Sequence, residues 1–361
     1  MVIQSSGVAM GSGRTYQRQT RESSSNRGWG EVLDSTTSPT AKESRTITKN
    51  ETVTEIVQVY QNYTASGRKI ANASDGTDAQ DNAVRPLSVR ELFSLLLRLR
   101  KDAFDRFMEN YRIGVGIMRE YRMQSTYTAE VTDGFAGDSS DENSSYEYES
   151  ELTDFGTTGK VTTTDGREID FDVSLALGRS YERRSEPRRL SMGGGLVDPL
   201  VINFGTGSAD LTGRTFDFDL DADGELDNIA VLGQACGFLA YDKNGDGIIN
   251  DGNELFGAKS GDGFEDLSVY DADGNGWIDE ADPIFDKLKI WSKDASGKDQ
   301  LVGLGVRGIG AIFLGHAPTE FSLKDLTNDT RGVIRSTGVF LREDGSAGTV
   351  QQVDFAKKKA V

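Results

Sequence analysis

The pattern of apolar and polar positions changes character several times along the chain. After Pro86, the residues Leu92, Leu96, Leu99, Ala103 and Phe107 recur at spacings of three and four, which is one buried stripe of a helix running to about Tyr111. Ser88 as N-cap, Glu91 three residues on and the Leu87 and Leu92 pair predict where that helix starts. Farther along the period becomes two. Ile169, Phe171, Val173, Leu175 and Leu177 alternate with polar neighbours behind Lys160–Thr164 and the Asp165-Gly166 pair, predicting a tight hairpin with one buried face. Phe216, Phe218 and Leu220 alternate likewise and predict a strand leading into an Asp-rich run. From Met1 to about Arg85, in contrast, Ser, Thr, Asn, Gly and Arg dominate and the one short apolar patch is at Ile56–Tyr60. Such a composition buries too little to offset its ordering entropy, so this stretch is expected to be mostly disordered.

These signals divide the chain into a mostly disordered segment at 1–85, a helix and β-hairpin region at 86–182, a basic and Gly-rich linker at 183–197, and a C-terminal domain at 198–355. The expected fold class is α+β. Its C-terminal domain would carry EF-hand or dockerin-like loops flanked by short helices, with hairpins such as the one around Asp344-Gly345 completing a small sheet.

Composition narrows the chemistry. The formal charge of −18 over 361 residues argues against nucleic acid as a partner, because phosphate contacts need clustered Lys and Arg. No stretch approaches the roughly 20 apolar residues of a membrane-spanning helix. With one Cys and one His, Cys236 and His316, neither an internal disulfide nor the usual Cys/His zinc sets can form. Hard oxygen ligands remain. The first residues lack the apolar core of a secretory signal, so the alternatives are the cytosol and, slightly favoured, an extracellular destination by a leaderless route.

Calcium takes six to eight oxygens, and a twelve-residue loop supplies them from positions one, three, five, seven (by its carbonyl), nine and twelve, with Gly at six. The run Asp271–Asp282 fits throughout, with Asp273, Asn275, Trp277, Asp279 and Asp282 at the ligand positions. The run from Asp242 repeats it through Asn244, Asp246, Ile248 and Asn250, and its closing acid is displaced by one residue to Glu254. A third run offers Asp219, Asp221, Asp223, Glu225 and Asp227 but has Ala230 at position twelve. At Asp294–Asp299 a lysine stands at position five, so that run is expected to be an empty turn. One Asp/Gly/Asn run is most simply a surface turn; three in register point to about two or three calcium ions whose uptake folds and stabilises the C-terminal half. Asp at position twelve of the Asp271 loop has a shorter reach than Glu, which suits weak, extracellular-type binding.

The order Asp198-Pro199-Leu200-Val201, FDLDADG, GFLAYDKNGDGIINDGNELFG and DADGNGWIDEADPIFDKLKIW resembles the calcium-binding, self-processing-type module of bacterial iron-regulated RTX proteins of the FrpA/FrpC-related type. The likeness spans about Asp198 to Leu314, without the tandem nonapeptides of long RTX arrays. The resemblance implies calcium-triggered cleavage of the Asp198-Pro199 bond and joining of the freed Asp carboxyl to a Lys. This chain departs from the pattern at Val201–Ser208, where no carboxylate follows. Two functions are therefore carried forward: a non-enzymatic calcium-binding module with an unidentified protein or surface partner, and a self-cleaving enzyme. A third, adhesive or glycan-binding reading rests on no visible aromatic platform.

Overall fold

The computed structural model describes residues 1–26, 43–63, 118–135, 143–185, 196–205 and 207–359. The predicted helix over 86–111 lies outside them. Among the described residues the chain is built almost wholly of antiparallel strands, which overturns the α+β expectation. Among the described residues, one six-residue helix, α1 (Gly263–Ser268), and 3-10 turns at Gly252–Glu254, Phe285–Lys287 and Leu304–Arg307 are the helical content. Asp262 caps α1 by accepting from the Glu265 N–H at 3.0 Å.

The first sheet contains β1 (Ile3–Asn26), β2 (Glu43–Tyr63), β3 (Met118–Phe135), β4 (Asn143–Thr163) and β5 (Glu168–Ser185) in the order β3-β2-β1-β4-β5. Strands β1 and β2 correct the expectation that residues 1–85 are mostly disordered. Their stabilisation comes from outside the segment: Ser6, Val8, Met10 and Ser12 turn one face of β1 inward, where Val8 and Met10 share a core with Phe155, Phe171, Trp277, Phe313 and Leu341. Small and hydroxyl side chains serve there because their polar atoms find partners. Trp277 Nε1 donates to Ser6 Oγ at 2.9 Å, and Thr157 Oγ1 to the Ala9 carbonyl at 3.0 Å. The β4–β5 hairpin has the anticipated turn, with Val161 opposite Ile169 and Gly166 left-handed.

The main sheet runs β11 (Trp277–Asp279), β14 (Ile309–Lys324), β15 (Thr330–Arg342), β16 (Ala347–Ala356), β7 (Leu200–Asn203), β10 (Cys236–Tyr241), β12 (Leu288–Lys293) and β13 (Asp299–Gly303), with β6 (Leu196–Val197) on β16. A three-stranded sheet pairs β8 (Leu211–Phe218), β9 (Asp227–Leu232) and β17 (Lys358–Lys359). Alternation along the strands divides the main core. Leu200 and Ile202 of β7 join Leu239, Phe264, Ile290, Phe340 and Val350 on one face, while Val201 joins Phe218, Phe238, Trp291 and Phe355 on the other. The turns expected at Asp294 and at Asp344-Gly345 close the β12–β13 and β15–β16 hairpins.

Candidate metal centre

Each Asp-rich loop leaves or enters an ordered element. The first joins β8 to β9, the second leaves β10 and ends in the Gly252–Glu254 turn, and the third runs from α1 into β11. None is flanked by a pair of helices, so the EF-hand setting does not apply. The backbone course is nevertheless common to all three. The fourth and sixth residues, Ala222 and Gly224, Gly245 and Gly247, Gly274 and Gly276, are left-handed, with φ between 56° and 90°; Ala222 alone pays a Cβ penalty for it.

Side-chain hydrogen bonds repeat in a common pattern, the first Asp of each loop accepting the N–H of position six and one more from position four or five. At position one, Asp219 accepts from the Asp223 and Gly224 N–H groups at 3.0 Å each, Asp242 from Gly245 at 2.7 Å and Gly247 at 2.8 Å, and Asp271 from Asn275 at 3.2 Å and Gly276 at 2.9 Å. At position five, Asp223, Asp246 and Asn275 accept from the N–H two residues on, those of Glu225, Ile248 and Trp277. Position three repeats this in two loops, Asn244 accepting from Asp246 and Asp273 from Asn275. These bonds hold the carboxylate and amide side chains of each loop against its own backbone.

The closing acids agree despite their different spacing. Glu254 accepts from the N–H groups of Lys243 at 3.0 Å and Asn250 at 2.9 Å, which are positions two and nine of its loop. Asp282 accepts from Ala272 at 2.7 Å and Asp279 at 3.0 Å, again positions two and nine. The one-residue displacement of Glu254 is absorbed by the 3-10 turn, so the longer loop ends with its acid in the same relation to the backbone.

Three carboxylates in the third loop, Asp271, Asp273 and Asp282, and three in the first, Asp219, Asp221 and Asp223, each offer an oxygen within 4.8 Å of the others. Among the described residues, no salt bridge neutralises the third set. Burial, reinforced by Asp282 and Asp273, pushes the Asp271 carboxyl up to about 6, against the pull of the Gly276 N–H. Burial likewise raises Asp282 and Asp279. An array of clustered oxygens that suffer from one another's charge, with no sulfur or imidazole donor among them, fits a hard divalent cation. Asn275 and Asp279 are partly engaged elsewhere: Asn275 Nδ2 donates to the Ile3 carbonyl at 3.1 Å, and Asp279 Oδ2 accepts the Ile3 N–H at 2.7 Å. Strand β1 is thereby fastened to this loop. Trp277 contributes a fully buried ring, whereas the side chains of Ile248 and Glu225 are exposed.

The first loop differs electrically. Lys357 donates to Asp221 Oδ2 and stands 3.3 Å from Asp227 Oδ2. Its ammonium holds the Asp221 carboxyl below the usual range; burial raises Asp227 in spite of it. No local signal ties Lys357 to a loop more than a hundred residues earlier, and Ile3 is equally remote from the loop it clamps.

Asp198 is half-buried, its carboxyl raised by burial and touched by Gln352 Nε2 at 3.4 Å. Its carbonyl abuts Gly257, where a Cβ would come within 2.2 Å and φ is +93°, so only glycine fits. The Gly257–Gly263 segment against which Asp198 lies connects the second and third loops. Tyr241 and Tyr270 meet edge-on at 6.4 Å in an open cleft beside Lys243 and Glu254.

A family model described as the SPM domain matches residues 203–356. The match covers somewhat under half of the chain and takes in all three loops together with most of the main sheet. It starts beyond the Asp198-Pro199 bond and leaves out β1–β5. It carries no link to the iron-regulated RTX proteins, whose likeness rests on the motifs.

Proposed function

We propose that this chain is a calcium-binding protein in which the Asp242–Glu254 and Asp271–Asp282 loops each enclose one ion as a structural cofactor. The observation that carries the reading is the equivalence of Glu254 and Asp282, two acids at different loop spacings that accept the same two backbone N–H groups. A surface turn needs no such closing acid. In the third loop the ion would offset the mutual repulsion of Asp271, Asp273 and Asp282, and by ordering Asn275 and Asp279 it would firm the seat of Ile3. The cation thus acts as a fastener between the N-terminal sheet and the main sheet. The short reach of Asp282 suits the high calcium levels found outside cells, where such a module would meet a protein or surface partner.

A second reading is calcium-triggered cleavage at Asp198-Pro199, supported by the position of that bond against the Gly257–Gly263 connection between the two loops. In this step an Asp198 carboxylate oxygen attacks its own main-chain carbonyl carbon, the bond to Pro199 nitrogen breaks, and that nitrogen takes a proton. The resulting cyclic anhydride is opened by water or by a lysine amine.

Calorimetric titration of the chelator-stripped full chain followed by a denaturing gel of the same sample tests both. Calcium uptake that falls by one ion in Glu254→Gln and by one in Asp282→Asn, with the chain intact, supports the binding module. Uptake accompanied by fragments that part at Asp198 supports cleavage, and no uptake by the wild-type chain sinks both.

A further inference from the structure

We infer that the first loop, Asp219–Asp227, carries its own cation in the Lys357 ammonium and excludes calcium at concentrations that fill the other two loops. The inference rests on the calcium reading of those loops and assigns the third run of the series a different occupant.

The geometry is specific. Lys357 bridges Asp221 and Asp227, which stand at positions three and nine, the places from which two ligands would reach an ion. The lysine side chain is 14% exposed and Asp227 is 8% exposed, so this is no loose surface pair. Asp221 Oδ1 is buried without a hydrogen-bond partner, leaving the ammonium as that carboxylate's charge partner. Asp219 and Asp223 have their own arrangements, Asp219 taking two backbone N–H groups and Asp223 one.

The chain on both sides fixes the ammonium. Two residues before it, Phe355 is fully buried and packs 5.2 Å from Phe238. Immediately after it, Lys358 and Lys359 pair with Asn228 and Asp227 in the β17–β9 ladder. A group tethered in this way competes at an effective concentration on the order of millimolar or above, and an incoming ion would have to displace it before reaching positions three and nine. The device also accounts for the missing acid at position twelve, where Ala230 is buried in β9: a single ammonium needs fewer oxygens than calcium. The first loop then acts as a latch that secures the strand after Phe355 to the β8–β9 hairpin without metal.

The test is calcium titration calorimetry on the chelator-stripped full chain, wild type against Lys357→Met, which keeps the aliphatic stem and removes the charge. Two ions in the wild type and three in the variant are expected. Three in the wild type, or no gain in the variant, overturns the inference. If the wild type takes up none, the reading of the other two loops falls, and this inference is still decided by whether Lys357→Met gains an ion that the wild type lacks. Should the variant not fold, amine acylation of the wild type read by mass spectrometry replaces it. Lys357 should react about tenfold more slowly than exposed Lys298 and keep that protection in calcium, whereas faster labelling on calcium addition overturns the proposal.

Discussion

Where β4 and β5 meet β14, Glu149 and Glu151 are buried, only 3% and 2% exposed, yet they are surrounded by cations. Arg179 reaches Glu149 at 2.6 Å and Glu151 at 2.9 Å, Arg14 reaches Glu151 at 2.8 Å, and Lys324 reaches Glu149 at 2.8 Å. Around Asp271, Asp273 and Asp282, backbone N–H groups are the main donors and the nearest charges are other carboxylates. Both clusters contain acids removed from water, and both join the N-terminal sheet to the main sheet. The first is complete as the polypeptide supplies it. The second has hydrogen bonds for its oxygens but, among the described residues, no cation for its charge, which is the electrostatic difference on which the proposal of an external cation rests.

The largest expected effect comes from removing a cation from the complete cluster. Arg179→Met leaves Glu149 and Glu151 buried with one guanidinium fewer, and breaking a buried pair this way costs about 3–5 kcal/mol. Urea denaturation near neutral pH should show it with and without calcium. A loss below about 1 kcal/mol would mean that Arg14 and Lys324 suffice, and the contrast between the clusters would be weaker than the distances suggest.

Proton linkage should separate the clusters by sign. Burial alone would raise Glu149, but hydrogen bonds from Arg179, Asn328 and Lys324 take its carboxyl down to about 2. Its folded value is below the unfolded one, so its contribution is present above about pH 4.5 and is lost as pH falls toward 2, on the order of 3 kcal/mol. Asp271 has the opposite sign. With a folded value of about 6, it keeps its proton longer in the folded chain, and the metal-free protein loses on the order of 2 kcal/mol as pH rises from about 4 to 6. Calcium requires the ionised carboxylate and should cancel that loss, so urea midpoints between pH 4 and 7 should fall in chelator and hold steady or rise in calcium. Parallel profiles in the two buffers would remove the ion from the third loop.

The sequence disclosed the local parts of this arrangement and hid the distant ones. Runs such as Asp271–Asp282 were legible because ligand spacing, Gly at position six and the Asx hydrogen bonds all lie within a dozen residues. The hairpins at Asp165-Gly166 and Asp344-Gly345 were legible for the same reason. Fold class was not. The twelve-residue pattern suggested flanking helices, whereas the second loop leaves strand β10 and Trp277 and Ile278 within the third belong to β11; only the strand at Phe216 and Phe218 before the first loop was anticipated. Strand β1 was invisible because much of its buried face is made of Ser6, Ser12, Val8 and Met10, and its partners Trp277 and Phe313 lie some 270 residues away or more. The displaced Glu254 was readable as a candidate ligand; Lys357 was not, since nothing near it marks it as a cation for Asp221.

The smallest effect is the most discriminating, because its sign reverses with the solvent. Asp273 is exposed, accepts the Asn275 N–H at 3.0 Å and raises both Asp271 and Asp282 through its charge. The second loop already has Asn244 at the same position, accepting the equivalent N–H at 2.9 Å, so Asp273→Asn keeps the turn while removing one charge. In chelator the variant should be more stable than wild type by about 0.5 kcal/mol, the scale of a single solvent-screened charge interaction. In calcium the order should invert, because the neutral amide oxygen is a poorer ligand for a divalent ion and the wild type binds more tightly. A variant less stable in both buffers would mean that the Asp273 carboxylate serves the fold and not the cation, and the third loop would then belong with Glu149 and Glu151 as a structure complete in itself.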